Sequence, residues 1–244
     1  EASVTGPNLI CIDATTQLSP SNGGTWVSNN PSVAVVNNDG LAQGINSGTC
    51  TFIWTQTTTG CYAETPSPIT INTSPTVNLT TPEICIGDIV NLIPNMDGTW
   101  VSNAPLVANV GFSTGIVSGL SNGEATFTYT NNIDGCSATT DTLTILPQPE
   151  LAIDMPNICV GSFTMLQPAF GGSWTSLDSD IAFIFGNFVV GTGAGFVQLL
   201  YTDELTGCEN TLTLSVTDRS TVNIIGDMEI CEGSITELPP ANGG

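Results

Sequence analysis

Residues Ile84 to Cys136 read ICIGDIVNLIPNMDGTWVSNAPLVANVGFSTGIVSGLSNGEATFTYTNNIDGC, and this stretch decides the fold. Ile89-Val90-Leu92, Trp100-Val101, Val107–Val110 and Ala125-Phe127-Tyr129 are short β-branched or aromatic runs, several alternating with Thr, Ser or Asn. Alternation of this kind belongs to strands with one face in a core and the other in water. Between the runs lie Asp97-Gly98, Ser118-Gly119, Asn122-Gly123 and Asp134-Gly135. These are turn dipeptides that tolerate positive φ. No segment carries apolar residues at helical spacing over ten or more positions. With Val77-Leu79 before it and Leu143-Ile145 after it, the unit holds about seven short strands, which describes a small β-sandwich.

The same unit recurs along the chain. Ile-Cys or its equivalent stands at Cys11, Cys85, Cys159 and Cys231, and Trp26, Trp100 and Trp174 each follow 15 residues after their cysteine. Gly-Cys closes each unit at Cys61, Cys136 and Cys208. Internal periodicity governs the domain reading: repeat one spans 1–74, repeat two 75–148, repeat three 149–219, and 220–244 opens a fourth repeat. That fourth copy, ICEGSITELPPANGG, stops two residues before its Trp is due, so the sequence reads as an excerpt of a longer array. Glu1 follows no Met, basic segment or apolar leader, so any signal peptide is expected to be gone. Pro75, Pro147, Pro149 and Pro156 punctuate the joins and predict short, stiff connections. Tandem sandwiches on such joins predict an elongated rod.

Of the 244 residues, 22 are Asp or Glu, one is Lys or Arg, and none is His, for a net charge of −21; yet only 9% are charged and 40% are hydrophobic. The chain is acidic because bases are missing. A chain without Lys forms no Schiff base and holds no P-loop phosphate. Without His it has no imidazole base and no Ser-His-Asp arrangement. Nucleic acid requires phosphate neutralisation, for which only Arg219 is available, so no nucleic-acid partner is expected. Anionic membrane surfaces are likewise repelled, and no apolar run reaches the roughly 18 residues of a membrane span, so no insertion of this segment is expected.

Eight cysteines at matched spacings read as a disulfide framework made outside the cytoplasm. The simplest pairing closes each repeat on itself: Cys11–Cys61, Cys85–Cys136 and Cys159–Cys208. A loop of about 50 residues contributes about 4 kcal/mol on the chain-entropy model, a large share for a domain of this size. Cys231 has no partner in this sequence and is expected to be unpaired. Cys50 aligns with Ala125 and Val197 in an alternating strand and is expected to be a buried free thiol acting as a small hydrophobe. Zinc requires clustered Cys-x-x-Cys spacings, which are absent.

Other motifs carry bland readings. Gly111-Phe112-Ser113-Thr114-Gly115 matches a nucleophile elbow, but the elbow needs a strand-to-helix turn and a His, so the segment is read as a turn between strands. Gly191-Thr192-Gly193-Ala194-Gly195 has no following helix or Lys and is read as turn glycines. Trp26, Trp100 and Trp174 are read as core residues of a sandwich, in preference to platforms for stacking sugars. The acid pairs Asp178 with Asp180, Asp203 with Glu204, and Asp227 with Glu229 do not recur from copy to copy, so no acid catalysis is expected from them and the chain is expected not to be an enzyme. Glu83 and Asp88, and Asp227, Glu229 and Glu232, lie near the joins and are candidate calcium ligands, with solvated surface acids as the default; no other cofactor is expected.

The stretch from Trp26 to Thr55, WVSNNPSVAVVNNDGLAQGINSGTCTFIWT, resembles the bacterial Ig-like group 2 domain, whose pattern is W-x-S-x-x-P-x-V-A-x-V, a glycine turn, then G-x-A-x-F/I. Repeat two matches at Trp100, Ser102, Pro105, Val107, Ala108, Val110, Gly115, Gly119, Gly123, Ala125 and Phe127. Repeat three keeps Trp174, Ser176, Ile181, Ala182 and Gly191 but loses the Pro and gains Phe183, Phe185 and Phe188. The resemblance implies β-sandwich modules strung in tandem in surface adhesins. The Ile-Cys openings and Gly-Cys closings look like the very long surface proteins of Bacteroidota, including gliding-motility adhesins exported by the type IX system. The implied location is the extracellular surface of a Gram-negative bacterium. The implied role is a non-catalytic stalk or filament whose partners are neighbouring repeats and, beyond them, surface polysaccharide or other cell-surface proteins. The alternative is that the repeats themselves bind carbohydrate or another surface through variable loops, with repeat three the candidate.

Overall fold

The computed structural model describes residues 5–220 and Glu232. All regular structure among them is β, with no helix. The chain falls into two units, Glu1–Pro147 and Gln148–Gly244.

The first unit holds two sandwiches with separate cores. In repeat two, one layer joins the strands Asn78–Leu79, Ile89–Ile93, Ile116–Gly119 and Ala108–Val110 in that order. The other layer has two parts: Glu83–Cys85, Leu143–Leu146 and Gly123–Ala125, continued along the chain by Gly98–Ser102, Phe127–Asn131 and Ser137–Thr139. Burial alternates along these strands, so Val90, Leu92, Phe127 and Tyr129 point inward while Ile89, Asn91 and Ile93 face solvent. This is the period-2 pattern of an antiparallel sheet with one wet face. The core gathers Leu92, Trp100, Val117, Phe127, Tyr129, Leu143 and Ile145. Repeat one builds the equivalent core from Leu18, Trp26, Ala42, Phe52, Trp54, Ile69 and Ile71.

The second unit carries one sandwich over a core of Leu166, Ala182, Val189, Val197, Leu199, Leu214 and Val216. Here the split layer is whole: Gly195–Asp203 and Glu209–Thr217 form one unbroken hairpin, with Gly172–Ser176 on one side and Asn157–Cys159 on the other. Chain counts explain the difference. In repeat two the ladder passes from Ala125↔Leu143 to Thr128↔Thr139, three steps on one strand against four on the other. In repeat one it passes from Cys50↔Ile69 to Ile53↔Glu64, three steps against five. The extra residues bulge and interrupt the ladder, whereas repeat three keeps constant register from Gly195↔Val216 to Thr202↔Glu209.

In every repeat the opening strand pairs parallel with the closing one: Cys11 lies opposite Asn72, Cys85 opposite Leu146, and Cys159 opposite Thr217. The closing cysteine sits at the far end of the same layer, in the turn that precedes the final strands. This overturns the three pairings expected within repeats. In repeat three, Cys208 immediately precedes the nine-residue strand Glu209–Thr217, whose last residue faces Cys159. Nine residues at about 3.3 Å each place the two cysteines about 30 Å apart, far beyond the 4.4–6.8 Å between Cα atoms that a disulfide spans. The structure pairs Cys11 with Cys136 across the two repeats of the first unit, with Cα atoms 5.6 Å apart. Cys61 and Cys159 are free and exposed, and Cys85 and Cys208 are each disulfide-bonded. Cys11–Cys61, Cys85–Cys136 and Cys159–Cys208 are therefore not made.

Candidate functional site: the stapled junction of repeats one and two

The Cys11–Cys136 bond lies where the exit end of repeat one meets the closing turn of repeat two. Cys11 ends the strand Leu9–Cys11, and its neighbour across the ladder, Asn72, ends the last strand of repeat one. The closing turn runs from Asn131 to Cys136. The Asn131 amide donates to the Cys136 carbonyl at 2.9 Å, and the Gly135 amide donates to the Asn131 carbonyl at 2.9 Å. Gly135 holds φ at +70°, a conformation in which a Cβ is costly. Asp134 serves both sides: its Oδ1 accepts the Cys136 amide at 3.0 Å and its Oδ2 accepts Asn72 Nδ2 from repeat one at 3.0 Å. A covalent bond and a hydrogen bond to a carboxylate thus tie two separately cored sandwiches, and Cys136 is fully buried by the contact.

In each sandwich the central tryptophan is tied to the backbone of its own repeat. Trp26, Trp100 and Trp174 donate Nε1–H to the carbonyls of Pro20, Pro94 and Pro168 at 2.9, 2.8 and 2.9 Å. The Trp100 and Trp174 rings pack at 5.1 Å against Tyr129 and Tyr201, whose hydroxyls donate to the Met96 and Phe170 carbonyls at 2.6 and 3.1 Å. Burial raises the pKa of both phenols; Asp97 then Asp134 add to this at Tyr129, and Asp203 then Glu204 at Tyr201. Trp26 and Trp100 are buried, while Trp174 is half-buried. The cause is local. The five-residue loop Gly111–Gly115 brings the Phe112 carbonyl to the Trp100 amide, whereas in repeat three a two-residue Gly186-Asn187 turn leaves the Trp174 edge uncovered.

The remaining predicted residues are placed as follows. Cys50 is free and buried in the repeat-one core, its thiol pKa raised by burial and partly offset by a hydrogen bond with Ser28. Asp88 Oδ2 accepts the Cys85 amide at 3.1 Å, and Glu83 is an exposed residue of the opening strand. Among the described residues no three acidic or cysteine side chains gather in a metal-binding group. Glu232 is exposed, and Asp227, Glu229 and Cys231 lie outside the described residues. Gly111–Gly115 forms a hairpin loop between Ala108–Val110 and Ile116–Gly119, closed by the Gly115 amide on the Gly111 carbonyl at 3.0 Å. Gly191–Gly195 is also a turn, in which the Thr192 hydroxyl donates to the Asp180 carbonyl at 2.9 Å.

Sequence reasoning missed the junction itself. Its one legible sign was the conserved placement of the two cysteines at opposite ends of the repeat, which becomes informative only once the parallel pairing of first and last strands is known.

No protein-family model matches the chain, and no curated protein matches it. Solved structures similar to it include domains 1–6 of the surface layer protein SbsC, at 14% identity over 93% of this chain and 42% of that chain, with a TM-score of 0.23. Invasin, a bacterial integrin-binding protein, is similar at 14% identity over 88% of this chain and 58% of that chain, with a TM-score of 0.35. The C-terminal 282-residue fragment of intimin, solved with the intimin-binding domain of its translocated receptor, is similar at 15% identity over 65% of this chain and 69% of that chain, with a TM-score of 0.34. The chain spans less than half of the SbsC fragment and less than two thirds of the invasin structure.

Proposed function

We propose that this chain is a non-catalytic stalk segment of a long bacterial surface adhesin, exported by a type IX system to the exterior of a Gram-negative cell and serving gliding motility. The observation that carries the reading is the Cys11–Cys136 staple, which links two sandwiches that each already possess a core. A crosslink 125 residues long in sequence adds nothing to chemistry at a site, but it resists separation of neighbouring repeats under tension. The near-absence of Lys and Arg suits exposure, since it leaves trypsin-like proteases one site, Arg219, and gives neighbouring copies like charge. Two measurements test the reading. Antibodies raised to this segment are expected to label unpermeabilised cells of the source organism, and absence of surface label would sink it. Small-angle scattering of three linked repeats is expected to report a rod, and a compact particle would sink the stalk.

One observation favours the binding alternative. The outer sheet face of repeat three carries Phe163, Phe183, Phe185 and Phe188, with Phe163 and Phe188 edge to face at 5.8 Å. Phe183 and Phe185 are 53% and 74% exposed. The corresponding face of repeat two presents Asn91, Asn109 and Ser118 between its isoleucines. This apolar face lies on strands, while Phe170, Leu177 and Leu205 are exposed outside them. Glycan-array binding by this fragment, lost in F183S/F185S, would support the alternative; silence of the unmodified fragment would discard it.

A further inference from the structure

We propose that the Cys11–Cys136 bond is a force bypass: tension that reaches Cys11 along the chain crosses to Cys136 and leaves without passing through the two sandwiches the bond joins. This route follows from covalent connectivity within the first unit and does not require the stalk reading.

A folded repeat lengthens under a pull only when the pull runs through the chain that builds its core. Strands part when their hydrogen bonds give way, whereas the disulfide holds its two Cα atoms 5.6 Å apart. The chain between them, 125 residues in sequence separation, is then a closed loop that carries no end-to-end load. Trp26 and Phe52 of one core lie inside this loop, and so do Trp100 and Phe127 of the other. The connection between the repeats, with Pro75, lies inside it as well. Closure within each repeat would shelter each core separately and leave that connection to bear the load. The bond across repeats shelters all three.

The fold brings the two ends of the loop together without help from the bond. Asn72, opposite Cys11 in the parallel ladder, donates to the carboxylate of Asp134, two residues before Cys136. The disulfide locks a contact that packing and a hydrogen bond already make. Outside the loop lie Leu9 and Ile10, paired with Thr70 and Ile71, and the closing strands Ser137–Thr139 and Leu143–Leu146 of repeat two. A pull can strip these, Leu143 and Ile145 of the core among them, yet it gains little length because the loop stays tied at its base.

A dithiol reopens the longer route. One thiolate of dithiothreitol attacks a sulfur of the bond and displaces one cysteine. Its second thiol then displaces the other, leaving two protein thiols and one cyclic oxidised dithiothreitol. The test stretches single molecules of the full chain between handles on azidophenylalanine, introduced at Ala2 and at the exposed Glu150. Contour length at the end of the pull is the readout. The oxidised chain is expected to reach about 80 Å, the stretch outside the loop at roughly 3.5 Å per residue. Dithiothreitol, and separately C11A/C136A, is expected to raise this to about 500 Å, a roughly sixfold gain. Contour length counts residues alone, so the variant reports whether or not it folds. An oxidised chain that reaches the full length, or a reduced or variant chain that stays short, would overturn the proposal. A compact particle in scattering would remove the stalk and leave the bypass standing.

Discussion

At the residue scale, the aromatic pair at the centre of each sandwich shows how one substitution is accommodated. Repeats two and three place Tyr129 and Tyr201 beside the core Trp, and each phenol finds a backbone carbonyl. Repeat one has Trp54 there, and its buried Nε1–H has no acceptor. A buried donor left unpaired costs about 1–3 kcal/mol. Trp54→Tyr is therefore expected to offset part of its lost apolar area with a hydrogen bond to the Asn22 carbonyl, the position that aligns with Met96 and Phe170. Tyr129→Phe, which loses the bond to Met96, is expected to destabilise the first unit by about 1 kcal/mol in denaturant unfolding. Alkaline titration gives a second check. Because the folded-state pKa of Tyr129 and Tyr201 is raised, their contribution to stability is intact below the unfolded phenol value near 10 and is lost as pH rises through the folded value. Ultraviolet titration is expected to show these two phenols ionising above that reference.

At the scale of elements, the interrupted layer of repeats one and two is held by buried threonines. Thr65 and Thr140 accept the Phe52 and Phe127 amides on their hydroxyls, both at 3.2 Å, at the bulge where the ladder fails. Thr140→Val keeps the shape and removes the acceptor, so it is expected to cost about 1–3 kcal/mol and to speed hydrogen exchange at the Phe127 amide. Repeat three has Leu212 at the aligned position and an unbroken ladder there, with Leu212 opposite Leu199. The closing turn of repeat three depends on a carboxylate. Asp203 is held below the usual carboxylate pKa by hydrogen bonds from the Thr206 amide and hydroxyl, against an opposing effect of desolvation that outweighs the further bond from the Leu205 amide. Its contribution is present above the unfolded value near 3.9 and is lost as pH falls through the lower folded value. Proton-monitored spectra are expected to show the turn loosening only in acid, and Asp203→Asn is expected to remove that dependence.

At the scale of the whole molecule, the covalent joint between repeats is the feature with the largest expected effect. A loop of 125 residues corresponds to about 5 kcal/mol on the chain-entropy model, against about 4 for closure within a repeat. Replacing both cysteines, C11A/C136A, is expected to lower the melting temperature of the first unit in calorimetry and to reduce its response to reductant to that of the bonded Cys85; an unchanged melting curve would show that the joint contributes little. The strands, the turns, the inward tryptophans and the three cores were legible in the sequence because period-2 alternation and turn dipeptides act over a few residues. The half-exposure of Trp174 was not, since it follows from a neighbouring hairpin that is two residues shorter. The disulfide partners were not either. By itself the sequence determined the β repeats and their registers of Cys, Trp and Gly. Only the tertiary structure decided which cysteines meet, because parallel pairing of first and last strands sends the opening cysteine to the end of the sandwich opposite its own closing turn, and a bond of 5.6 Å between Cα atoms cannot cross that length.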